Sequence, residues 1–235
     1  MRKSGEILII IPAYNEERNI QRVVEELREK TPQVDYVIVN DGSRDATGQI
    51  CRENGYRMLD LPVNLGLSGA VRTGMLYAVR HQYSMALQFD GDGQHRPEYI
   101  EELADCIRQG EEIAIGSRFL TEKKPFTARM IGSRVLTSLI RHASGHTLTD
   151  PTSGMRMYSR SMLERFASNA NLRPEPDSIS FLIRSGVRVR ECQVSMRERV
   201  AGSSYLTAFR SISYMLRMVF SITIIQGLRG KGETK

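Results

Sequence analysis

The chain has 235 residues, of which 40% are hydrophobic and 26% charged, enough for the core of one sizeable domain. Its formal net charge is +6 and its pI about 9.4, a balance that suits phosphate-bearing or anionic-membrane partners without selecting between them. Three cysteines without C-x-x-C spacing indicate neither a disulfide framework nor a zinc site, and no apolar run reaches the about 18 residues of a membrane span.

Short apolar runs alternate with segments of helical periodicity, which is typical of a parallel sheet with crossover helices. The predicted strands are 7–11, 36–39, 57–61, 84–89, 112–115 and 187–196. The predicted helices are 16–30, 45–54, 97–109, 160–168 and 178–185. Pro12 is expected to end the first strand, and the basic segment 118–141 is assigned no regular element. The predicted fold is therefore α/β, with a mostly parallel central sheet flanked by helices.

The C-terminal segment has a different pattern. From Tyr205 onward apolar residues recur at helical spacing, and Arg210 and Arg217 share one face. This predicts an amphipathic helix in a membrane interface, with arginines near anionic headgroups. The alternative is a helix packed on the domain's own core or on a sister subunit, as in a homo-oligomer. The chain is accordingly divided into a domain over 1–203 and a helix with its tail over 204–235.

Three polar motifs directly follow predicted strands. They are Pro12-Ala13-Tyr14-Asn15-Glu16, Asn40-Asp41-Gly42-Ser43 and Asp90-Gly91-Asp92-Gly93-Gln94-His95. Open α/β sheets bind ligands beyond the carboxyl ends of their strands, so these motifs are expected to meet there. Together they predict a site for a nucleotide and a metal.

Asp90 and Asp92 are the expected metal ligands. One glycine separates them, so both carboxylates can point into one small volume, where they repel each other unless a divalent cation lies between them. Mg²⁺ or Mn²⁺ bridging to a diphosphate fits this arrangement. The alternative is an ordinary Asp-Gly turn with solvated carboxylates.

The two earlier motifs are expected to hold the nucleoside. Asp41 can accept a hydrogen bond from a base, while Gly42 allows close approach. Tyr14 offers an aromatic face and Glu16 a carboxylate beside the same crevice. The alternatives are a turn or cap role for Asp41 and a helix start at Glu16.

Further motifs follow in order along the chain: Asn64-Leu65-Gly66, Gly116-Ser117-Arg118 and Ser153-Gly154-Met155-Arg156. With the first three, they resemble the family 2 glycosyltransferases of the GT-A fold over residues 7–204. More narrowly, the chain resembles the dolichol-phosphate-mannose-synthase-like branch, which includes bacterial enzymes that load a sugar onto undecaprenyl phosphate. The resemblance implies inverting transfer from a nucleotide sugar to a lipid phosphate.

The resemblance also implies roles for individual residues. The nucleotide sugar is held by Pro12, Tyr14, Glu16, Asp41 and Asp90. The metal is held by Asp90, Asp92 and Gln94. The acceptor phosphate is held by Arg118, Arg129, Ser133 and Arg199. Guanidinium groups suit that task because they bind phosphate oxygens at two points and stay charged, although any one arginine can also be a solvated surface residue.

Asp92 and Asp150 are the expected catalytic carboxylates. Asp150 precedes the Ser153-Gly154-Met155-Arg156 element and is either a base or an orienting group, because a phosphate acceptor is already anionic and needs little deprotonation. Two departures from the family pattern bear on the donor. Asn40 replaces an aspartate, which leaves the nucleotide site plausible. Tyr205 replaces a lysine that mannose-phosphate synthases often carry, so a UDP-sugar is favoured over GDP-mannose.

The expected location is cytoplasmic, peripheral on the inner face of the cell membrane, because the apolar run 7–11 is too short for a secretory signal. A small membrane-protein partner is expected where related enzymes carry transmembrane helices. Nucleic acid is not an expected partner, because the basic residues are not interleaved with an aromatic stacking platform.

Two other functions stay open. One is transfer to a sugar hydroxyl of a growing polysaccharide, which would need a clear general base and fewer phosphate-binding arginines. The other is a nucleotide-sugar-binding scaffold without catalysis, against which the intact Asp90, Asp92 and Gln94 argue.

Overall fold

The computed structural model describes residues 5–197 and 218–222, apart from the side chains of Ala128 and Arg129. Seven strands form one sheet in the order β3-β2-β1-β4-β6-β5-β7. The strands are β1 (Ile7–Ala13), β2 (Asp35–Asn40), β3 (Met58–Asp60), β4 (Met85–Gln88), β5 (Ile113–Ser117), β6 (Arg156–Ser159) and β7 (Val189–Gln193). Strand β6 is antiparallel to β4 and β5, and every other pairing is parallel. The predicted mostly parallel α/β sheet is confirmed.

Helices cover both faces of this sheet. They are α1 (Ile20–Lys30), α2 (Thr47–Glu53), α3 (Gly66–Arg80), α4 (Ile100–Arg108), α5 (Ala128–Ser144), α6 (Arg160–Ser168) and α7 (Pro176–Arg184), and a 3₁₀ turn (Pro97–Tyr99) precedes α4. Helices α1, α2 and α4 pack on one face, while α3, α5, α6 and α7 pack on the other. Because β1 lies between these layers, its side chains are buried on both faces, which explains its unbroken apolar sequence.

The first strand is longer than its sequence suggests. Pro12 was expected to end it, but β1 continues through Pro12 to Ala13. Beyond Ile10, β1 pairs only with β2, and the Ala13 carbonyl oxygen accepts from Asp41 N on that side. Neighbouring residues of a strand point their polar groups to opposite sides, so the missing N–H of Pro12 faces the side where β4 has ended. The proline therefore interrupts no ladder.

Helix α1 begins later than predicted, at Ile20 rather than residue 16. Asn15 has a left-handed backbone (φ 57°), and the Glu16 amide donates to Thr47 Oγ1 at 2.8 Å. These contacts dock residues 15–16 onto the start of α2. Glu16 therefore precedes the regular helix, and its carbonyl oxygen accepts from Ile20 N at 2.9 Å.

The predicted elements lack three that the structure has: helix α3, helix α5 and strand β6. Arg156 begins β6 and is buried, with its guanidinium donating to the carbonyl oxygens of Pro151 (2.7 Å) and Pro174 (3.0 Å). Strand β6 has only four residues and begins with a charged one, so its sequence lacks the apolar pattern by which a buried strand is predicted.

A short helical segment at 218–222 packs on the domain. Met218 and Ile222 are buried in the same core as α3, α5, α6 and α7, and Ser221 Oγ donates to Asp177 Oδ2 at 2.6 Å. For this stretch, the alternative of packing on the domain's own core is the one found. The remainder of the predicted C-terminal helix, 204–217 and 223–235, lies outside the described residues. Within the described ranges, no helix has the length and apolar character to cross a bilayer.

Candidate active site

The first two motifs lock together beyond the carboxyl ends of β1 and β2. Asn15 N donates to Ser43 Oγ at 3.0 Å, and Arg44 N donates to Asn15 Oδ1 at 2.8 Å. The third motif adjoins them, because a β-carbon at Gly91 would lie 3.1 Å from the Pro12 carbonyl oxygen and 3.7 Å from Glu16 Cγ. The structure thus brings all three motifs to one edge of the sheet, as their strand-end positions predict.

Asp41 lies buried at the floor of this edge. Its Oδ1 accepts from Leu65 N at 2.7 Å, in the Asn64-Leu65-Gly66 loop. Burial raises the pKa of Asp41, and the backbone N–H groups of Leu65 and Gly66 partly oppose the rise. Gly42 has a φ of +66°, and a β-carbon there would lie 2.8 Å from Asn64 N, so a larger residue would push the two loops apart.

Asn40 has a contact that an aspartate could not make when ionised. Its Nδ2 donates to Asp60 Oδ1 at 2.7 Å, and Asp60 also pairs with Arg52. A second carboxylate at position 40 would face Asp60 without a donor between them. The hydrogen bond to Asp60 therefore explains why an asparagine fits at position 40, where the family pattern has an aspartate.

Tyr14 and Glu16 are half-buried beside this crevice. Glu16 Oε2 accepts from Asn19 Nδ2 at 2.7 Å, which fixes the carboxylate near the start of α1. Pro12 is buried, and its carbonyl oxygen faces Gly91.

The Asp-Gly-Asp loop holds its two carboxylates by different means. Asp90 Oδ1 accepts from Gln88 Nε2 at 3.0 Å, and Asp90 N donates to His95 Nδ1 at 2.9 Å. Since His95 accepts through Nδ1, its ring proton is on Nε2, which lies 3.6 Å from Asp90 Oδ2. Asp92 is buried, with Oδ1 accepting from Gln94 N at 3.0 Å.

The Ser153-Gly154 element lies directly against this loop. A β-carbon at Gly154 would lie 2.6 Å from Asp90 Oδ2, inside van der Waals contact. The absence of a side chain at this position therefore makes room for the Asp90 carboxylate.

The donor atoms in this loop fit Mg²⁺ or Mn²⁺. Asp90 and Asp92 offer hard carboxylate oxygens, and Gln94 uses its amide nitrogen on the Arg197 carbonyl oxygen (3.3 Å), so oxygen is the atom it can offer a cation. Within the described part of the chain, no three His, Cys, Asp or Glu side chains gather into a closed metal site. Mg²⁺ is commonly bound by one or two carboxylates together with substrate phosphates, so two carboxylates beside a diphosphate suffice.

Arg118, one of the arginines predicted to hold the acceptor phosphate, forms an ion pair with Asp150. Arg118 follows β5, and its Nε and Nη2 donate to Asp150 Oδ2 and Oδ1 at 2.7 and 2.9 Å. Asp150 is fully buried, and its backbone N–H donates to Glu191 Oε1 at 2.8 Å. Asp150 is therefore held both at its carboxylate and at its backbone.

Ser133 lies buried on α5, where its Oγ accepts from Lys124 Nζ at 2.9 Å. Arg129 lies four residues earlier on the same helix, hence on the same face, and its side chain lies outside the described set. Arg199 also lies outside the described residues.

Several contacts at this edge involve residues that the motifs did not single out. Arg197 Nη1 and Nη2 each donate to a Glu26 oxygen at 2.6 Å, and this pairing lowers the pKa of Glu26 to about 2. Arg197 N also donates to Gln94 O at 2.9 Å, so the ion pair is tied to the Asp-Gly-Asp loop. Gln88 could have been found as the polar residue ending an apolar strand, whereas nothing in the sequence marks Glu26.

Comparison with known proteins agrees with this geometry. A sequence model of the family Glycosyl transferase family 2 matches residues 8–166. The polyprenol monophosphomannose synthase of Mycolicibacterium smegmatis is 30% identical over 225 residues, covering 88% of this chain and 83% of that protein. The undecaprenyl-phosphate mannosyltransferase of Micrococcus luteus is 28% identical over 216 residues, covering 86% and 87%.

A third relative has a different sugar in its name. The UDP-N-acetylglucosamine–dolichyl-phosphate N-acetylglucosaminyltransferase of Methanococcus voltae is 32% identical over 180 residues, covering 67% of this chain and 71% of that protein. Among solved structures, glucosyl-3-phosphoglycerate synthase from Mycobacterium tuberculosis, in complex with Mn²⁺, UDP and phosphoglyceric acid, has a TM-score of 0.66. It is 18% identical, and the match covers 93% of this chain and 78% of that one, so the likeness concerns the fold.

The expected family and fold are thereby confirmed: the chain belongs to glycosyl transferase family 2, and it is a glycosyltransferase built on a GT-A-like sheet.

Proposed function

We propose that the chain transfers a hexosyl group, with inversion, from a nucleotide sugar to polyprenyl phosphate. The observation that carries the proposal is the placement of two kinds of charge at one edge of the sheet. The Asp90 and Asp92 carboxylates follow β4, the Arg118 guanidinium follows β5, and β6 lies between these strands. A site for a metal-bound diphosphate beside a site for an anionic acceptor suits transfer onto a phosphate.

The names of the relatives support the same acceptor. Polyprenol, undecaprenyl phosphate and dolichyl phosphate are the lipids in the names of the three relatives described above. Two of those names contain mannose and one contains UDP-N-acetylglucosamine, so the sugar and the nucleotide differ among them. For this chain we favour a UDP-sugar, with undecaprenyl phosphate as the acceptor, and the alternative is a GDP-mannose-using polyprenyl-phosphate mannosyltransferase.

On the donor side, Asp41 would accept from the base, and Tyr14, Glu16 and Pro12 would line the nucleotide crevice. Asp90, Asp92 and Gln94 would hold Mg²⁺ or Mn²⁺. When bound, such a cation neutralises charge on the departing nucleoside diphosphate. His95 and Gln88 hold Asp90 at its backbone and its carboxylate, so the loop is ordered before the substrate arrives.

On the acceptor side, a phosphate oxygen attacks the anomeric carbon, the bond from that carbon to the diphosphate breaks, and the nucleoside diphosphate leaves. The nucleophile is already anionic and needs no base. Arg118, Arg129, Ser133 and Arg199 would hold the phosphate in line. The two-point pairing with Arg118 favours an orienting role for Asp150 over that of a base.

A lipid acceptor implies work at a membrane surface. We propose a cytoplasmic enzyme, peripheral on the inner face of the cell membrane, with 204–217 and 223–235 at the interface and 218–222 packed on the domain. The small membrane-protein partner and the homo-oligomer stay predictions.

The test is product formation by purified protein from radiolabelled UDP- and GDP-sugars, with undecaprenyl phosphate and Mg²⁺ or Mn²⁺, with and without EDTA. The proposal predicts a lipid-linked sugar from a UDP-sugar that EDTA abolishes. Transfer only to soluble sugar hydroxyls would contradict the acceptor, and nucleotide-sugar binding without transfer would favour a scaffold.

A further inference from the structure

Lys124 contacts Ser133, one of the residues proposed to hold the acceptor phosphate, although none of the sequence motifs includes Lys124. Its Nζ donates to Ser133 Oγ at 2.9 Å and to Thr137 Oγ1 at 3.1 Å. These two hydroxyls are four residues apart on α5, so they form neighbouring positions on one helix face. The ammonium therefore bridges the loop after β5 to the helix that carries Ser133.

The ring of Phe119 lies beside both this ammonium and the Arg118 guanidinium. The Arg118 Cζ atom lies 5.0 Å from the ring centroid, and Lys124 Nζ lies 5.6 Å from it. Both are cation–π distances, so one aromatic ring supports two cations at this point. Arg118 and Arg134 both act on Lys124 as like charges, and such a group of cations favours an anion beside it.

The local charges are not balanced by protein carboxylates alone. Asp150 pairs with Arg118, whereas among the described residues Lys124 Nζ donates to two neutral hydroxyls. Burial is the main influence on Lys124 and lowers its pKa, while Asp150 and Glu191 act on it in the opposite sense. Arg134 adds a third cation, donating through Nη2 to the Lys124 carbonyl oxygen at 2.7 Å, and its buried Nη1 has no hydrogen-bond partner among the residues that the structure describes.

The contact with Lys124 determines how the two hydroxyls of Ser133 and Thr137 can hydrogen-bond. A hydroxyl that accepts from an ammonium keeps its own proton for another acceptor. Ser133 and Thr137 can therefore each donate to an oxyanion lying beside the ammonium. Two hydroxyl donors and one ammonium make a cradle suited to the oxygens of a phosphate monoester.

We propose that Lys124 binds the phosphate of the lipid acceptor, together with Ser133 and Thr137, as a site residue additional to the arginines. The inference rests on the proposed function, since it assigns part of that acceptor site. The competing account is that Lys124 is a structural link between the loop and α5 and never touches substrate.

Three variants separate these accounts. Lys124→Gln keeps an N–H donor for the two hydroxyls but removes the charge, and Lys124→Arg keeps the charge. Lys123→Gln is the matched control, because Lys123 is the exposed neighbour. Steady-state kinetics with undecaprenyl phosphate and the active nucleotide sugar give KM for each substrate, and calorimetric binding of farnesyl phosphate at pH 7 gives a readout without turnover.

We expect Lys124→Gln to raise the acceptor KM and the farnesyl phosphate Kd about tenfold or more, the loss of one charge-assisted hydrogen bond, with the nucleotide-sugar KM unchanged. Lys124→Arg should recover most of the loss, and Lys123→Gln should behave as wild type. An unchanged acceptor KM and Kd in a folded Lys124→Gln protein would overturn the inference, as would an equal loss toward both substrates. If wild type itself makes no lipid-linked sugar, the proposed function fails instead, and farnesyl phosphate binding still decides the role of Lys124.

Discussion

The guanidinium of Arg118 and the fully buried carboxylate of Asp150 share two parallel hydrogen bonds of 2.7 and 2.9 Å. This geometry is the strong, directional form of a charge-assisted pair. It fixes the orientation of Arg118 beyond the end of β5, where the acceptor's phosphate is proposed to bind. Under the proposed function, Asp150 would act on the acceptor through Arg118.

Asp150→Asn should destabilise the fold, because it leaves Arg118 next to a neutral amide in a buried setting. We expect a loss of about 3 kcal/mol in the free energy of unfolding, measured by urea denaturation, and a higher acceptor KM. The matched control is Glu164→Gln, which breaks the exposed pair with Arg160 and should cost under about 0.5 kcal/mol. Equal stability losses in the two variants would contradict the assigned role of the buried pair.

The ion pair between Glu26 and Arg197 should make stability depend on pH. Pairing lowers the pKa of Glu26 from 4.5 to about 2, so its contribution is complete above pH 4.5 and is lost as the pH falls toward 2. Glu26→Gln should lower Tm at pH 6, and the difference from wild type should shrink at pH 3. A difference that stays constant between these pH values would show that the pair does not contribute in this way.

Gly154→Ala tests the space reserved for the Asp90 carboxylate. The added β-carbon would lie 2.6 Å from Asp90 Oδ2, the mobile end of a side chain, so we expect the carboxylate to shift and the fold to survive. The Mn²⁺ concentration for half-maximal transfer should rise on the order of tenfold, with Tm within a few degrees of wild type. An unchanged metal requirement would contradict the placement of Asp90 in the metal site.

Asp92→Asn tests whether the chain acts as an enzyme through its Asp-Gly-Asp loop. Replacing one of two carboxylates should reduce metal-dependent transfer by about a hundredfold or more, and EDTA should abolish transfer by wild type. Calorimetric titration with Mn²⁺ and UDP should show correspondingly weaker metal binding. An Asp92→Asn protein that keeps full transfer activity would point to a different metal site, whereas one that loses transfer but keeps its biological effect would favour the scaffold alternative.

Local patterns and strand-end chemistry predict much of this molecule. The unbroken apolar run of β1 indicates a strand buried on both faces, and Asp41 and Asp90 then fall at the same edge of the sheet. The prediction that Pro12 ends β1 was wrong, because the effect of a proline depends on which neighbouring strand its missing N–H would face. Pro12 faces the side of β4, and the pairing with β4 ends at Ile10.

The remaining features depend on contacts between distant parts of the chain. Glu26 and Arg197 are 171 residues apart, and neither has a local pattern that marks the other as its partner. Lys124 reads as one basic residue among several until α5 brings Ser133 and Thr137 to it. Arg156 can be buried because two carbonyl oxygens from separate loops accept hydrogen bonds from its guanidinium. Hydropathy gives no sign of these distant acceptors.

The central claim is that the group accepting the sugar is a lipid phosphate. The most direct test offers the enzyme two lipids of equal chain length, undecaprenyl phosphate and undecaprenol, with the active nucleotide sugar and Mg²⁺ or Mn²⁺, followed by mass spectrometry of the extracted lipid. We predict a sugar joined to undecaprenyl phosphate through the phosphate oxygen and no product from undecaprenol. Glycosylated undecaprenol, or sugar on a polysaccharide hydroxyl with the lipid phosphate unmodified, would contradict the account.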